Sequence, residues 1–258
     1  MMKQGRSVTL TAVQGLPLIE PGDDLAAILI DGIRCAGIAL RDRDVLVIAQ
    51  KIVSKAEGRY VELREVAPSA RAAELAAIVQ RDPRVVEVIL SEAQEIVRYR
   101  KDVLIVAHRL GFVMANAGVD QSNVDQQDGH ERVLLLPVNP DASCTVLKNR
   151  LDAAFAVDLG VVINDSFGRP WRNGVVGVAL GAAGLPSLQN LIGSPDLFGR
   201  ELRVTEVAFA DEIAAAASML MGQGNEGLPL VHVRGLDWNE PSRNGAALLR
   251  PKQQDLFR

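Results

Sequence analysis

Asp165 and Ser166, with Arg169, Arg172 and Asn173 close behind them, stand between two apolar runs in the stretch VVINDSFGRPWRNGVVGVALG, residues 161–181. Val161, Val162 and Ile163 read as a buried strand that delivers Asp165 and Ser166 to a turn opened by Gly168 and Pro170. A carboxylate, a hydroxyl and two guanidiniums there suit a metal ion and a phosphate chain, because hard cations take oxygen ligands and Arg matches phosphate bidentately. The plainer alternative is a polar turn with an Asp cap. Two more segments at strand ends carry related chemistry. Residues 50–58, QKIVSKAEG, place Lys51 and Lys55 just beyond a buried strand, where they either hold phosphate as point charges or are merely solvated. Residues 116–123, NAGVDQSN, offer Asp120, Ser122 and Asn123 in one tight loop whose small residues let the backbone approach a ligand. Together the three segments fit two divalent ions bridging a polyphosphate, a site whose catalysis is positioning and charge neutralisation.

Other chemistries find less support. Residues 222–227, GQGNEG, match GxGxxG, but they follow a predicted helix and precede a strand. The dinucleotide fingerprint needs the reverse order, so that the pyrophosphate meets a helix N-terminus. Such a loop can still wrap a nucleotide, with Gln223 reaching a metal, or can be a plain flexible connection. No GxxxxGK[ST] loop occurs, and His108, His130 and His232 form no HExxH or adjacent ligand pair. His232 reads as a structural histidine inside an apolar strand and His130 as solvated. Cys35 and Cys144, without CxxC or Cys/His spacing, read as two reduced, buried thiols.

The elements that must position these residues follow from periodicity and punctuation. Strands are expected over residues 8–13, 45–49, 103–107, 112–115, 133–136, 161–163, 202–209 and 230–233. Helices are expected over residues 25–38 after Asp23 or Asp24, from Ser69 to about Gln80, after Asp82-Pro83, from Asp141 toward Val157, over 187–192 and over 211–221. Residues 125–132 read as an exposed loop, a lid or a linker. Without a regular βαβ alternation, the expected fold is α+β, with mixed sheets and flanking helices.

A chain of 258 residues with 48% hydrophobic and 23% charged residues buries a full core as one large domain or two lobes. A net charge of -4 with no long like-charged run predicts no non-specific nucleic-acid binding, so an anionic ligand must meet a local cluster of cations. No signal core or membrane-spanning run is evident, which predicts no membrane partner and a cytoplasmic location.

Taken in order, the segments GLPLI at 15–19 with PGD at 21–23, VSKAEG at 53–58, NAGVD at 116–120 with Ser122-Asn123, DSFGR at 165–169, RNGVVG at 172–177, and DEIA at 211–214 with LMG at 220–222 resemble the coenzyme F420-0:L-glutamate ligase family. The resemblance implies a GTP-dependent enzyme that adds L-glutamate to the lactyl phosphate tail of F420-0 through an acyl phosphate. It implies two divalent ions, manganese or magnesium, with potassium as an optional further ion. Carried over by position, Leu16, Pro17, Leu18 and Ile19 would line the nucleotide, Gln50, Lys51 and Lys55 would approach its phosphates, and Asn123 would hydrogen-bond it. Asp120 and Asp165 would hold one metal, Ser166 and Gln223 the other. Met219, Leu220, Met221, Gly222, Gly224, Asn225 and Glu226 would wrap the nucleotide, while Arg169 or Arg172 would act catalytically on a substrate phosphate or carboxylate. The resemblance also implies a family-specific α+β fold in an intertwined homodimer. Gln223 stands where some relatives carry an acidic residue, the segment 126–132 is longer than in shorter relatives, and the reductase domain fused in some bacterial versions is not expected here. Rival readings keep the scaffold and change the acceptor, or make the chain a non-catalytic nucleotide-binding protein, against which the presence of both Asp120 and Asp165 argues.

Overall fold

The computed structural model describes residues 6–124, 126 and 131–256. His130 and most of the polar stretch 125–132 lie outside them. In chain order the elements are β1 (Thr9–Ala12), α1 (Leu25–Cys35), β2 (Val45–Ala49), α2 (Gln50–Ala56), β3 (Tyr60–Glu62), α3 (Ala70–Val79), α4 (Pro83–Glu92), β4 (Ala93–Arg100), β5 (Val103–His108), β6 (Val113–Ala115), β7 (Arg132–Leu134), α5 (Pro140–Phe155), β8 (Gly160–Arg169), β9 (Arg172–Ala183), β10 (Gln189–Asn190), β11 (Glu206–Val207), α6 (Phe209–Met221) and β12 (Leu230–Arg234).

A five-stranded sheet in the order β1-β12-β2-β8-β9 forms the centre. Only β2 and β8 run parallel; the other neighbours are antiparallel, so the sheet is mixed. Its central strands are apolar on both faces because both are covered. On one face Leu46, Ile48, Val161 and Ile163 meet α1 and α5 through Leu29, Ile33, Leu147 and Leu151. On the other, Val45, Val47 and Val162 meet Ile213, Ala214 and Ala217 of α6. A third cluster gathers α3 and α4 over the β4-β5-β6 sheet and β7. The architecture is α+β.

Local chemistry explains the helix starts. Asp24 accepts from Ala27 N–H at 3.1 Å, Ser69 from Ala72 N–H at 3.1 Å, and Asp82 from Arg84 N–H at 2.8 Å with Pro83 at the first position. Asn139, not Asp141, caps α5. The Asp141 carboxylate instead accepts from the backbone N–H groups of Ala182, Gly245 and Ala246, tying α5 to β9 and to the C-terminal segment.

Several expectations fail for physical reasons. Residues 187–192 are not helical but hold the short β10, since Pro186 and Gly193 leave too few residues to nucleate a turn-on-turn helix. The strand expected over 202–209 shrinks to β11, and Phe209 is the first residue of α6, buried against Trp238 at 6.0 Å between ring centroids. The strand β4 went unforeseen because AQEIVRYR has too few apolar positions on either face to alternate. Cys35 ends α1 off its Leu25, Leu29, Ile33 stripe and is exposed; only Cys144 is buried. His232 is a structural histidine, its Nε2 2.8 Å from the buried carboxylate of Asp44.

Candidate active site

β2 passes into α2 without a loop: Ala49 is extended and Gln50 already helical. Lys51 and Lys55 therefore leave neighbouring turns of one helix, four residues apart on the same face, and are not strand-end loop residues as expected. Beside β2, the parallel strand β8 carries Asn164, Asp165 and Ser166 past the same edge, with Ala49 in register with Asn164. Asp165 and Ser166 thus lie inside a strand rather than in a turn. The turn sits farther on, at Pro170 and Trp171, where Trp171 adopts a left-handed φ of 62°.

The end of β2, the middle of β8, the segment 16–20, Asn123 and the glycine loop after α6 enclose one cleft of about 580 Å³. Leu16, Pro17, Leu18 and Ile19 form an apolar lip, from which Leu18 projects with 86% of its surface exposed. Gln50, Lys51 and Lys55 line the opposite wall, and Asp165 and Ser166 join them. Asn123, at a φ of 55°, donates from Nδ2 to the carbonyl of Gly224 at 3.0 Å and so bridges its own loop to the glycine loop. Gly222 holds a φ of 71°, and a Cβ there would fall 2.1 Å from the Glu226 side chain. The Glu226 carboxylate accepts from Gly224 N–H at 2.8 Å and closes the loop on itself.

Asp120 stands behind the lysine wall. Its main chain exchanges two hydrogen bonds of 2.9 Å with Leu134, and its Oδ2 accepts from Lys51 Nζ at 2.7 Å and Gln50 Nε2 at 2.8 Å. Burial and the neighbouring Asp120 carboxylate push Asp165 up to about 7, against the pull of the Lys51 ammonium and the Ser166 N–H, which donates to Asp165 Oδ1 at 2.8 Å. Two carboxylates in one partly desolvated place repel, and a cation between them removes the repulsion. Among the described residues no three His, Cys, Asp or Glu side chains converge. The available donors, two carboxylates, a hydroxyl and the Gln223 amide, are hard oxygens. They fit a magnesium- or manganese-type ion, which takes one or two carboxylates and fills its remaining positions with phosphate oxygens and water.

The family model for F420-0:gamma-glutamyl ligase matches residues 15–235, a span that contains every wall of this cleft. The chain belongs to that family. A protein of Methanothermobacter thermautotrophicus named coenzyme F420:L-glutamate ligase is 46% identical over 253 residues, 97% of this chain and 99% of its own length. One of the same name from Methanocaldococcus jannaschii is 40% identical over 260 residues, the whole of both chains. A third, from Methanopyrus kandleri, is 46% identical over 95% of this chain and 97% of its own. As a member of the gamma-glutamyl ligase family the chain is an enzyme of the ligase class.

Measured against this family's expected site, the cleft brings together Leu16 to Ile19, Gln50, Lys51, Lys55, Asn123, Asp165, Ser166, Met221, Gly222, Gln223, Gly224 and Asn225. Asp120 reaches it through Lys51 and Gln50. Glu226, Leu220 and Met219 are not in its wall: Glu226 braces the loop, Leu220 packs toward the core, and Met219 is 75% exposed. Arg169 and Arg172 are not brought in either. Arg169 lies four residues along β8 from Asp165, roughly 13 Å at strand rise, and its Nη2 donates to Asn173 O within the hairpin. The small residues at 116–118 also serve packing: a Cβ on Gly118 would fall 2.8 Å from Leu136 and Met114 side-chain atoms. Sequence reading missed Tyr60, Asn164 and Ser218 as cleft residues. Of these, Asn164 had a signal, since it precedes Asp165 on the same strand.

Proposed function

We propose that the chain is a GTP- and divalent-metal-dependent ligase that joins L-glutamate to coenzyme F420-0 through an acyl phosphate. The observation that carries this reading is the convergence, in one cleft, of an apolar lip, two lysines, the Asp165 carboxylate and a glycine loop, with Asp120 bonded to the lysine wall. It is supported by the matching names of relatives 40–46% identical over nearly the whole chain.

In this reading the lip at 16–19 and the loop at 222–227 take the guanosine, and Lys51 and Lys55 meet its phosphates as point charges. An acceptor carboxylate oxygen attacks the γ-phosphorus, the bond to the β-phosphate oxygen breaks, and GDP leaves. The glutamate amine nitrogen then attacks the acyl carbon, inorganic phosphate leaves, and the amine loses a proton to give the amide. Asp120 and Asp165 would hold one ion, and Ser166 and Gln223 a second; bound there, the ions would neutralise charge on the transferring phosphoryl group. Assembly as a homodimer belongs to the same proposal and is supported by the exposed Trp171 and Val175 on the β8–β9 hairpin.

The experiment is a GDP-release assay in which GTP, manganese, glutamate and F420-0 are omitted one at a time. Multiple-turnover release coupled one-to-one to glutamate addition, and lost on each omission, is expected. Glutamate addition without nucleotide or metal would overturn the reading.

A further inference from the structure

We propose that Ser54 is a positioning residue for the Asp120 carboxylate, acting through the amide of Gln50; this rests on the reading of Asp120 and Asp165 as cation ligands. Ser54 and Gln50 are 0% and 2% exposed, one turn apart on α2. A helical serine commonly returns its hydroxyl to the backbone carbonyl one turn back. Here it donates instead to Gln50 Oε1 at 2.9 Å. With Oε1 so engaged, Nε2 faces Asp120 and donates to Oδ2 at 2.8 Å, while Lys51 Nζ donates to the same oxygen at 2.7 Å. Two consecutive residues of α2 thereby fill Oδ2 and leave Oδ1 as the oxygen that remains for a cation.

The direction of the amide is not interchangeable. Reversed, it would set a carbonyl oxygen against a carboxylate that already has Asp165 as an anionic neighbour. The main chain of Asp120 is fixed by its paired bonds to Leu134, so rotation of the carboxylate is the freedom left for α2 to set. Without the Ser54 hydroxyl, Gln50 Oε1 is a buried carbonyl with no donor, a costly state that the side chain relieves by turning toward the nearby Lys51 ammonium. Asp120 then loses one donor outright and competes for the other. Groups that orient metal ligands in this way typically change affinity by about 10–100-fold when removed.

The test is manganese binding by the full chain without nucleotide, read by the electron paramagnetic resonance of free Mn²⁺, for wild type, Ser54→Ala, Gln50→Met and the double variant. Thermal melts establish that each is folded. Ser54→Ala is expected to weaken the Asp120/Asp165 ion about 10-fold. The double variant is expected to bind no more weakly than Gln50→Met alone, because the two residues act in one chain. Wild-type affinity in folded Ser54→Ala, or additive losses in the double variant, would overturn the relay. If Ser54→Ala does not fold, Ser54→Cys, which exchanges the hydroxyl for a weak donor, carries the test: a loss of about 10-fold supports the relay and unchanged affinity overturns it. Absence of manganese binding in the wild type would overturn the metal reading itself, a result distinct from failure of the relay.

Discussion

Asp165 carries a charge that its surroundings oppose. Its folded-state value, pushed to about 7, lies above the unfolded 3.8, so the folded state binds the proton more tightly. The resulting stability is fully present below pH 3.8 and is lost as pH rises through about 7. Without metal, Asp165→Asn should therefore melt higher than wild type at pH 8 and show no such advantage at pH 4; an equal difference at both would remove the repulsion argument. Asp165→Ala should lower GTP-dependent glutamate addition by more than about 100-fold while the protein remains folded, measured as turnover at saturating manganese. Glu92 is the opposite case. Although burial opposes ionisation, His108, Arg109 and Arg59 hold its carboxyl down at about 2, below the unfolded 4.5. Its contribution is present above pH 4.5 and fades as pH falls through about 2. Glu92→Gln should cost about 2 kcal/mol at pH 7, read by urea unfolding, because it weakens charge-assisted hydrogen bonds to the Arg59 and Arg109 guanidiniums.

At the scale of elements, β9 is where two helices close on the sheet. A Cβ on Gly177 would lie 2.4 Å from the Ala214 carbonyl of α6, and one on Gly181 would lie 2.5 Å from the Pro140 backbone of α5. Backbone cannot yield as a side-chain tip can. Gly177→Ala should cost about 1–3 kcal/mol and, by displacing α6 and the glycine loop it ends in, weaken GTP binding. A variant of wild-type stability and affinity would show that α6 is not held this closely. The elements were legible where periodicity and caps agreed: β2, α3, α6 and β12 fall within a residue or two of their expected bounds, and α4 starts at the expected Asp82-Pro83. They were illegible where tertiary pairing overrode local pattern. Asp165 and Ser166 read as turn residues because polar side chains follow a β-branched run, yet the strand continues since β9 supplies its partners to Arg169. Arg169 and Arg172 read as site residues from closeness in sequence, which extended backbone converts into distance.

At the scale of the molecule, the two-faced sheet with α1 and α5 on one side and α6 on the other sets the end of β2 beside the middle of β8, where the cleft opens. The lysine wall at the start of α2 and Asp165, about 114 residues apart in the chain, meet because β2 and β8 are parallel neighbours. That pairing could not be read from spacing; the order of short motifs across the chain led to the family without it. No helix of the described residues is long and apolar enough to cross a membrane. A second cleft of about 480 Å³ at the start of α5 has one carboxylate in its wall, Asp141, already committed to three backbone N–H groups. The central claim is the transfer itself, and mass spectrometry of F420-0 after incubation with the purified protein, glutamate, GTP and manganese tests it most directly. A mass increase of one or more glutamyl residues that requires both GTP and the metal is the predicted result. An unchanged F420-0 mass, with folded protein that binds GTP, would contradict it.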